Sequence, residues 1–182
     1  MLVSDSPSFQ EIYALFKNKV YNTVIGYVQS TEDAEEVTQD VFVEIHRSLE
    51  KFKGESSLST WIYRISVNKS LDFLKAKNRK KRFAFITSIF DKDSGELKHD
   101  HSDFIHPGVT FENKERSAIL FNAINQLPEK QKTAFILSKV EGLGNKEISE
   151  VMEMSVGAIE SLLSRAKENL KKALAEYQKN GG

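Results

Sequence analysis

Apolar residues in the first half of the chain recur at three- and four-residue steps, which is the period of an amphipathic helix. One such repeat spans residues 9–28, and a second follows a polar break and runs to about Ser48. A third begins near Ser57–Thr60 and continues through basic residues to about Arg82. Because residues 1–82 contain no strand-like alternation of useful length, the pattern predicts helices throughout this part.

The stretch that follows has a different composition. Residues 84–110 contain Gly95, Pro107 and Gly108 and show only weak periodicity. A segment of this length without secondary structure is more typical of a linker than of a loop inside a compact domain. We therefore predict a flexible linker over residues 83–110, with a large ordered loop as the alternative.

Helical periodicity returns near Phe111. Pro128 suits the start of a further helix, and the apolar pattern after it stops at Gly142. A short helix over Lys146–Met152, a tight turn and a long helix over Val156–Tyr177 complete the chain. A short helix, a turn and a longer helix in this order indicate a helix-turn-helix.

The predicted fold is therefore all-α, with two small helical domains, residues 1–82 and 111–182, joined by the linker. The formal net charge of the 182 residues is zero, but the charges are unevenly distributed. The net charge is −6 over residues 1–50, +8 over 51–82, −3 over 83–128 and +1 over 129–182. A basic surface beside an acidic one suggests two kinds of partner.

The composition excludes several kinds of site. The chain has no Cys, so it has neither disulfides nor a Cys-based zinc site. Three of the four His, His99, His101 and His106, fall in the predicted linker, where we interpret them as solvated rather than metal-binding. The N-terminal residues lack the apolar core of a signal peptide, and no run is long enough to span a membrane. We expect a cytoplasmic protein without metal, cofactor or membrane insertion.

The second predicted helix has an apolar face and an acidic face. At 100° per residue the apolar face consists of Ala34, Val37, Val41, Ile45 and Leu49. Glu36, Gln39 and Asp40 gather on the opposite face, which also carries Val43 and Arg47. This pattern is compatible with a solvated helix surface or with a protein interface.

The third predicted helix carries a polar stripe formed by Arg64, Asn68 and Lys75. Its end holds six basic residues among the eight of Lys75–Arg82, which we call the basic stretch. Cations stabilise a helix C-terminus, but six exceed what a cap needs, so the stretch predicts phosphate binding. The Asn68 amide could donate to and accept from a base edge, and the polar loop 52–57 suits capture of an unstacked base. Trp61, in contrast, is interpreted as a core residue.

In the last predicted helix one face is expected to pack inward, and it consists of Val156, Ile159, Leu163, Ala166, Leu170 and Leu174. Gly157, Ala158, Ser161 and Arg165 face away, with Ser164 at the edge. Small residues followed by Arg suit close entry into a major groove. A plain amphipathic helix that closes a bundle would show a similar pattern.

The order of these segments resembles a known family. Residues 33–81, DAEEVTQDVFVEIHRSLEKFKGESSLSTWIYRISVNKSLDFLKAKNRKK, are similar to region 2 of the extracytoplasmic-function (ECF) sigma factors. Residues 127–174, LPEKQKTAFILSKVEGLGNKEISEVMEMSVGAIESLLSRAKENLKKAL, are similar to region 4 of the same family. The resemblance implies two helical domains that give RNA polymerase its promoter specificity.

The resemblance also implies a role for each surface. Region 2 docks on the clamp helices of the polymerase large subunit and holds the melted −10 element, and region 4 places a helix in the −35 major groove. The implied contacts with core polymerase are Glu36, Gln39 and Asp40. The implied −10 contacts are Lys53, Gly54, Ser56, Arg64, Asn68, Lys75, Arg79 and Lys80. The implied −35 contacts are Ser161, Ser164, Arg165 and Lys167. Partners would be core polymerase, promoter DNA and an anti-sigma factor, and no residue would need to perform bond chemistry.

The chain departs from the family pattern at three positions. Members often have a base where this chain has Glu160, and another where it has Leu162. Without these two basic residues, we expect phosphate contacts to contribute less to binding of the −35 element. The turn position that is often Gly is Glu153, where a left-handed conformation costs about 1–2 kcal/mol. We therefore do not assume the usual turn geometry there.

Other classes of protein fit the sequence less well. A helix-turn-helix regulator that does not bind core polymerase is the main alternative, but residues 1–110 show neither an α/β receiver nor a ligand pocket pattern. An enzyme is disfavoured because the chain has no P-loop, G-x-S-x-G or H-E-x-x-H motif. A helical adaptor without nucleic acid would not need the strongly basic segment over residues 51–82.

Overall fold

The computed structural model describes residues 7–90 and 111–180, and within these ranges the chain is helical with no strand. The helices, in chain order, are α1 Phe9–Val28, α2 Thr31–Ser48, α3 Leu58–Phe90, α4 Phe111–Asn125, α5 Glu129–Lys139, α6 Asn145–Met152 and α7 Val156–Asn180. A 3₁₀ turn over Leu49–Lys51 follows α2. The predicted all-α class is confirmed. The domain boundaries remain a prediction, because the linker segment 91–110 and the three His within it lie outside the described residues.

Side-chain caps fix where the first two helices begin. The hydroxyl of Ser8 accepts a hydrogen bond from Glu11 N at 3.3 Å, and Glu11 Oε2 accepts one from Ser8 N at 2.8 Å. The Ser8 hydroxyl also donates a hydrogen bond to Glu11 Oε2 at 2.8 Å, and this bond together with the one from Ser8 N lowers the pKa of the Glu11 carboxyl. Ser30 caps α2 in a similar way, since its hydroxyl accepts a hydrogen bond from Asp33 N at 3.3 Å. Each cap satisfies an amide that the first helical turn leaves without a partner.

The largest apolar core extends across both halves of the chain. Its centre contains residues without solvent exposure from α1, α2, α5, α6 and α7: Ile12, Val20, Val24, Val41, Ile45, Leu137, Ile148 and Ile159. A smaller cluster joins the end of α4 to α7 and includes Ala123, Ile124, Ala166 and Leu170. Helices α1, α2 and α3 pack on one another, and α6 and α5 then contact α3 and α1. The two halves are thus in direct contact.

Three local expectations are corrected by the structure. Helix α3 does not end near Arg82 but continues to Phe90, since Lys and Arg are good helix formers and no breaker follows them. Val156, expected to pack inward, is 41% exposed because it occupies the first turn of α7, at the edge of the core. Glu153 does adopt the left-handed conformation, with φ 54° and ψ 44°, so the usual turn geometry forms without Gly.

The strain at Glu153 gives a stability prediction. Glu153→Gly should raise the free energy of unfolding by about 1 kcal/mol, because Gly adopts positive φ without steric cost. The lost Arg64–Glu153 ion pair subtracts little, since the Glu153 side chain is 73% exposed. Urea unfolding would measure the change. Glu160→Gly, in the interior of α7, is the control and should lower stability by about 1 kcal/mol; equal destabilisation by both variants would contradict the argument.

Candidate nucleic-acid interface

The acidic surface predicted on α2 is fully presented to solvent. Ala34, Val37, Val41 and Ile45 are buried against the rest of the bundle, as expected from the helical period. Glu36, Gln39 and Asp40 are exposed on the opposite side, and no ion pair among the side chains that the structure describes involves them. We call these three residues the acidic patch. Its charges are free to meet a partner.

An apolar groove adjoins the acidic patch, and the sequence did not reveal it. The groove has a volume of about 470 Å³ and shares Gln39 with the patch; its walls are Phe9, Tyr13, Thr38, Phe42, Val43, His46 and Arg47. Tyr13 and Val43 are each 47% exposed, and the rings of Tyr13 and Phe42 are 4.7 Å apart. Phe9 and Tyr13 belong to the apolar stripe of α1, so their spacing alone suggested core positions. The result is a surface with an apolar centre and a charged rim, as many protein interfaces have.

The loop before α3 forms a second cavity. Ser57 caps α3, because its hydroxyl accepts a hydrogen bond from Thr60 N at 3.0 Å. Gly54 has φ +71°, which permits the sharp turn. The cavity of about 310 Å³ is lined by Lys51, Phe52, Lys53, Glu55, Ser56, Trp61 and Arg64. Cations and an aromatic ring beside a polar loop suit an unstacked base and its phosphate.

Trp61 is less buried than a core residue. Its ring lies 5.0 Å from that of Phe52, and one edge lines the loop cavity. The indole therefore supports the shape of the loop as well as packing against the core. The sequence could indicate its apolar side but not its contact with Phe52, which depends on the fold of the loop.

The cations of α3 fall into two groups. Arg79, Lys80, Lys81 and Arg82 are exposed, and no ion pair among the described residues involves them. Lys77 instead pairs with Asp33 at 2.6 Å and fastens α3 to α2. Lys75 lies 3.7 Å from Glu129. Within the basic stretch, the last four residues are thus the ones available for phosphate.

Two residues of the polar stripe of α3 border a cleft. Arg64 and Asn68 line this cleft of about 420 Å³ together with residues of α5, α6 and the turn after α6, among them Glu129, Lys130 and Glu153. Asn68 is exposed, whereas the Arg64 side chain is about one-third exposed. Arg64 also lines the loop cavity with Lys53 and Ser56, so the structure brings these predicted −10 residues together and places Arg64 and Asn68 beside the helix-turn-helix. Arg79 and Lys80 line neither cavity and lie several turns further along α3.

The candidate −35 residues lie on the exposed side of α7. Ser161, Ser164, Arg165 and Lys167 are all exposed. Ser161 donates its hydroxyl proton to Gly157 O at 3.0 Å, while Ser164 and Lys167 border a cavity of about 360 Å³. Glu160 borders the same cavity and places a carboxylate among these groups. The acidic residue reduces the positive potential of this surface.

Comparison with known proteins identifies the family. A model described as Sigma-70 region 2 matches residues 12–80, and one described as Sigma-70, region 4 matches residues 117–170. An ECF RNA polymerase sigma-E factor of Haemophilus influenzae is 34% identical to this chain, over 90% of the chain and 86% of the relative. The chain belongs to the ECF sigma factors.

Further relatives agree with this assignment. The RNA polymerase sigma-H factor of Pseudomonas aeruginosa is 31% identical, over 93% of this chain and 88% of the relative. The ECF sigma-E factor of Escherichia coli K12 is 30% identical, over 90% and 85% respectively. The ECF sigma factor described here is thus a DNA-binding protein of transcription initiation.

Solved structures share the fold. The sigma factor RpoE, in a complex with the anti-sigma factor NepR from Bartonella quintana, superposes with a TM-score of 0.66 at 21% identity, covering 92% of this chain and 96% of that one. CnrH, in a complex with the cytosolic domain of CnrY, gives a TM-score of 0.64 at 20% identity, covering 92% and 88%. In the part of this chain that the structure describes, no helix is long and apolar enough to cross a membrane. The same part contains no group of acidic and His side chains arranged to hold a metal ion.

Proposed function

We propose that this ECF sigma factor binds core polymerase through the acidic patch of α2 and opens promoter DNA through α3 and its preceding loop. The observation that carries this proposal is the presence of two oppositely charged surfaces on one small bundle. Glu36 and Asp40 are exposed and unpaired among the described residues, whereas Arg79–Arg82 present four basic groups. One helical bundle can therefore hold a protein partner on one side and phosphates on another.

The −10 element would be held by three cooperating parts. The basic stretch neutralises phosphates, and Asn68 and Arg64 read base edges. The cavity lined by Lys53 and Ser56, in the loop that turns at Gly54, accepts an extruded base. Extruding a base costs a few kcal/mol, and these contacts offset that cost. No bond is made or broken in this step, so binding energy alone accounts for melting.

The −35 element would be read by α7. Ser161, Ser164 and Arg165 contact bases and backbone, and Lys167 contacts phosphate. Because the Glu160 carboxylate repels the phosphates, we infer that the half containing α7 binds DNA weakly by itself. Tethering to a polymerase-bound region 2 would raise its effective concentration at the promoter.

We also infer an anti-sigma partner and action in the cytoplasm, where core polymerase works. The fold shared with the sigma factor RpoE, solved in a complex with the anti-sigma factor NepR, supports this inference. An anti-sigma factor would then compete with core polymerase for the acidic patch and the adjoining apolar groove. If the two partners share this surface, substitution of Phe42 or Val43 should weaken the binding of both core polymerase and the anti-sigma factor.

In vitro transcription tests the proposed function. The full chain is mixed with core polymerase and a promoter library, and initiation is compared with that of core polymerase alone. We expect transcripts from a subset of promoters that share −10 and −35 sequences. The absence of promoter-dependent initiation above core alone would rule the proposal out.

Asn68→Ala should alter base preference at the −10 element and leave the −35 preference unchanged. The reason is that the amide offers one donor and one acceptor to a base edge, a pairing worth about 1–3 kcal/mol of discrimination. Selection from the same promoter library, followed by sequencing of the transcripts, measures the preference. Asn18→Ala, an exposed Asn on α1, is the control. A shift at both elements would mean that Asn68 has a structural role.

A further inference from the structure

The first two turns of α7, residues 156–162, present four exposed residues. These are Val156, Gly157, Glu160 and Ser161. The second helix of a helix-turn-helix brings its N-terminal residues against base edges in the major groove. If α7 reads the −35 element as proposed above, these four residues are the first of the helix to meet the bases.

Glu160 has the only long polar side chain of the four. Val156 is apolar and Gly157 has no side chain, so neither offers a polar group to a base. The space beside Gly157 is open, because a Cβ placed there would meet none of the described atoms around it within 4 Å. Since Gly157 lies one turn before Glu160, a base pair can approach the helix closely at this turn, within reach of the Glu160 carboxylate.

Ser161 offers a base an acceptor and no donor. Its hydroxyl donates its proton to Gly157 O at 3.0 Å, so only the lone pairs of Ser161 Oγ remain for another partner. A carboxylate also accepts hydrogen bonds and donates none. The polar side chains at the start of α7 therefore present acceptors alone.

The carboxylate of Glu160 is not committed to a partner inside the protein. No ion pair among the side chains that the structure describes involves it. Lys139 and Lys167 border the same cavity of about 360 Å³ and are both exposed. These two lysines supply cations for phosphates, which partly offsets the repulsion that a carboxylate brings to this surface.

An acceptor surface selects among the four bases. In the major groove guanine presents two acceptors, and thymine presents an acceptor and a methyl group. Adenine has an amine donor with the N7 acceptor beside it, whereas cytosine presents its N4 amine alone. A carboxylate is repelled by the acceptors and attracted by the amine, so cytosine is the base that suits Glu160 best.

We propose that Glu160 is a specificity-determining residue, whose carboxylate accepts a hydrogen bond from N4 of a cytosine in the −35 element. The proposal rests on the function assigned above to α7. It gives a second consequence to the acidic residue at a position where family members often have a base. The exchange weakens attraction to phosphate on every sequence and adds a preference for one base at one position.

Glu160→Gln tests this role in the holoenzyme. The full chain and core polymerase transcribe a promoter library with a fixed −10 element and a randomised −35 element, and the transcripts are sequenced. The wild-type protein should favour cytosine at one −35 position. In the variant the ratio of cytosine to adenine at that position should fall at least fivefold, because the Gln amide pairs with N6 and N7 of adenine. The other positions should keep their preferences.

Glu168→Gln is the charge-matched control. Glu168 is exposed on the same helix, about 12 Å further from its N-terminus. Both variants remove one negative charge, so both should reduce the repulsion of phosphates on every promoter. Only Glu160→Gln should change a base preference. A Glu160→Gln protein that differs from the wild type by a uniform factor on all sequences would show that Glu160 acts through charge alone, which overturns the inference.

A single base exchange tests the contact itself. In one promoter selected by the wild-type protein, the cytosine is replaced by thymine, which puts the O4 acceptor where the amine was. The wild-type protein should lose at least fivefold in initiation. Glu160→Ala, which removes the carboxylate at an exposed position and keeps a good helix former, should lose less than twofold. Equal losses in the two proteins would contradict a contact between Glu160 and this base.

The outcomes separate the inference from the proposed function. If the wild-type protein initiates but favours cytosine at no −35 position, the inference fails and the proposed function stands. If the wild-type protein never initiates above core polymerase alone, the proposed function fails and the inference fails with it.

Discussion

Replacing Glu36 and Asp40 with lysine should abolish co-purification of the sigma factor with core polymerase. Both carboxylates are exposed on α2 and take part in no ion pair among the described residues, so the double reversal breaks no ion pair that the structure shows. It does put two like charges opposite whatever basic groups the partner presents. A loss of at least a hundredfold in affinity, about 3 kcal/mol, is expected from such a reversal at an interface.

Affinity capture of tagged core polymerase without DNA measures this effect. The charge-matched control is Glu168→Lys with Glu176→Lys, which reverses two exposed carboxylates on α7 and should leave capture unchanged. Thermal unfolding of both variants should match that of the wild-type protein. Unchanged capture of the Glu36/Asp40 variant would refute the assignment of the acidic patch.

The groove beside the patch explains why charge alone does not define this surface. Gln39 belongs to both the patch and the groove, and the ring of Tyr13 next to Phe42 gives the groove an exposed apolar floor. Interfaces gain much of their energy from such apolar centres, while rim charges mainly set specificity and association rate. The charge reversal should therefore prevent core polymerase from recognising the patch. Truncation of the groove residues should lower the affinity of the complex that still forms.

The sequence predicted those features that depend on a single helix. The bounds of α1 and α2 follow from periodicity, and the caps at Ser8 and Ser30 that the structure shows involve only neighbouring residues. The exposure of Glu36, Asp40 and Arg165 also follows from their angular positions on one helix. The predicted end of α3, near Arg82, was wrong because it was placed by charge and composition and not by helix propensity.

Features that join distant segments could not be predicted in this way. The contact between Arg64 and Glu150 joins residues 86 apart, and the one between Lys132 and Tyr27 joins residues 105 apart. Nothing in the local pattern of α5 distinguishes Lys132 from the exposed Lys130 beside it. Burial of one and exposure of the other result from how α5 docks on the end of α1.

That burial gives the second large prediction, a rise in stability with pH that depends on Lys132. Burial lowers the pKa of Lys132 to about 8, from an ordinary value of 10.5. Below pH 8 the lysine is protonated in both states; between these two values the folded state releases its proton and the unfolded state keeps it. The unfolded state then binds more protons, so the free energy of unfolding rises with pH. Between pH 7 and about pH 9.5 the expected gain is about 2 kcal/mol.

Urea unfolding at these two pH values, with Lys132→Met beside the wild-type protein, measures the contribution. The variant should lack the rise, whereas Lys130→Met, at an exposed position on the same helix, should keep it. Burial also raises the pKa of Tyr27 and Tyr63, which lowers stability only above about pH 10, outside the measured range. Parallel pH profiles for the wild-type protein and Lys132→Met would show that the ammonium is solvated in solution. The hydrogen bonds from Lys132 Nζ to Tyr27 O and Asn125 Oδ1 would then be absent in solution. This measurement therefore also reports on the contact between α5 and the end of α1.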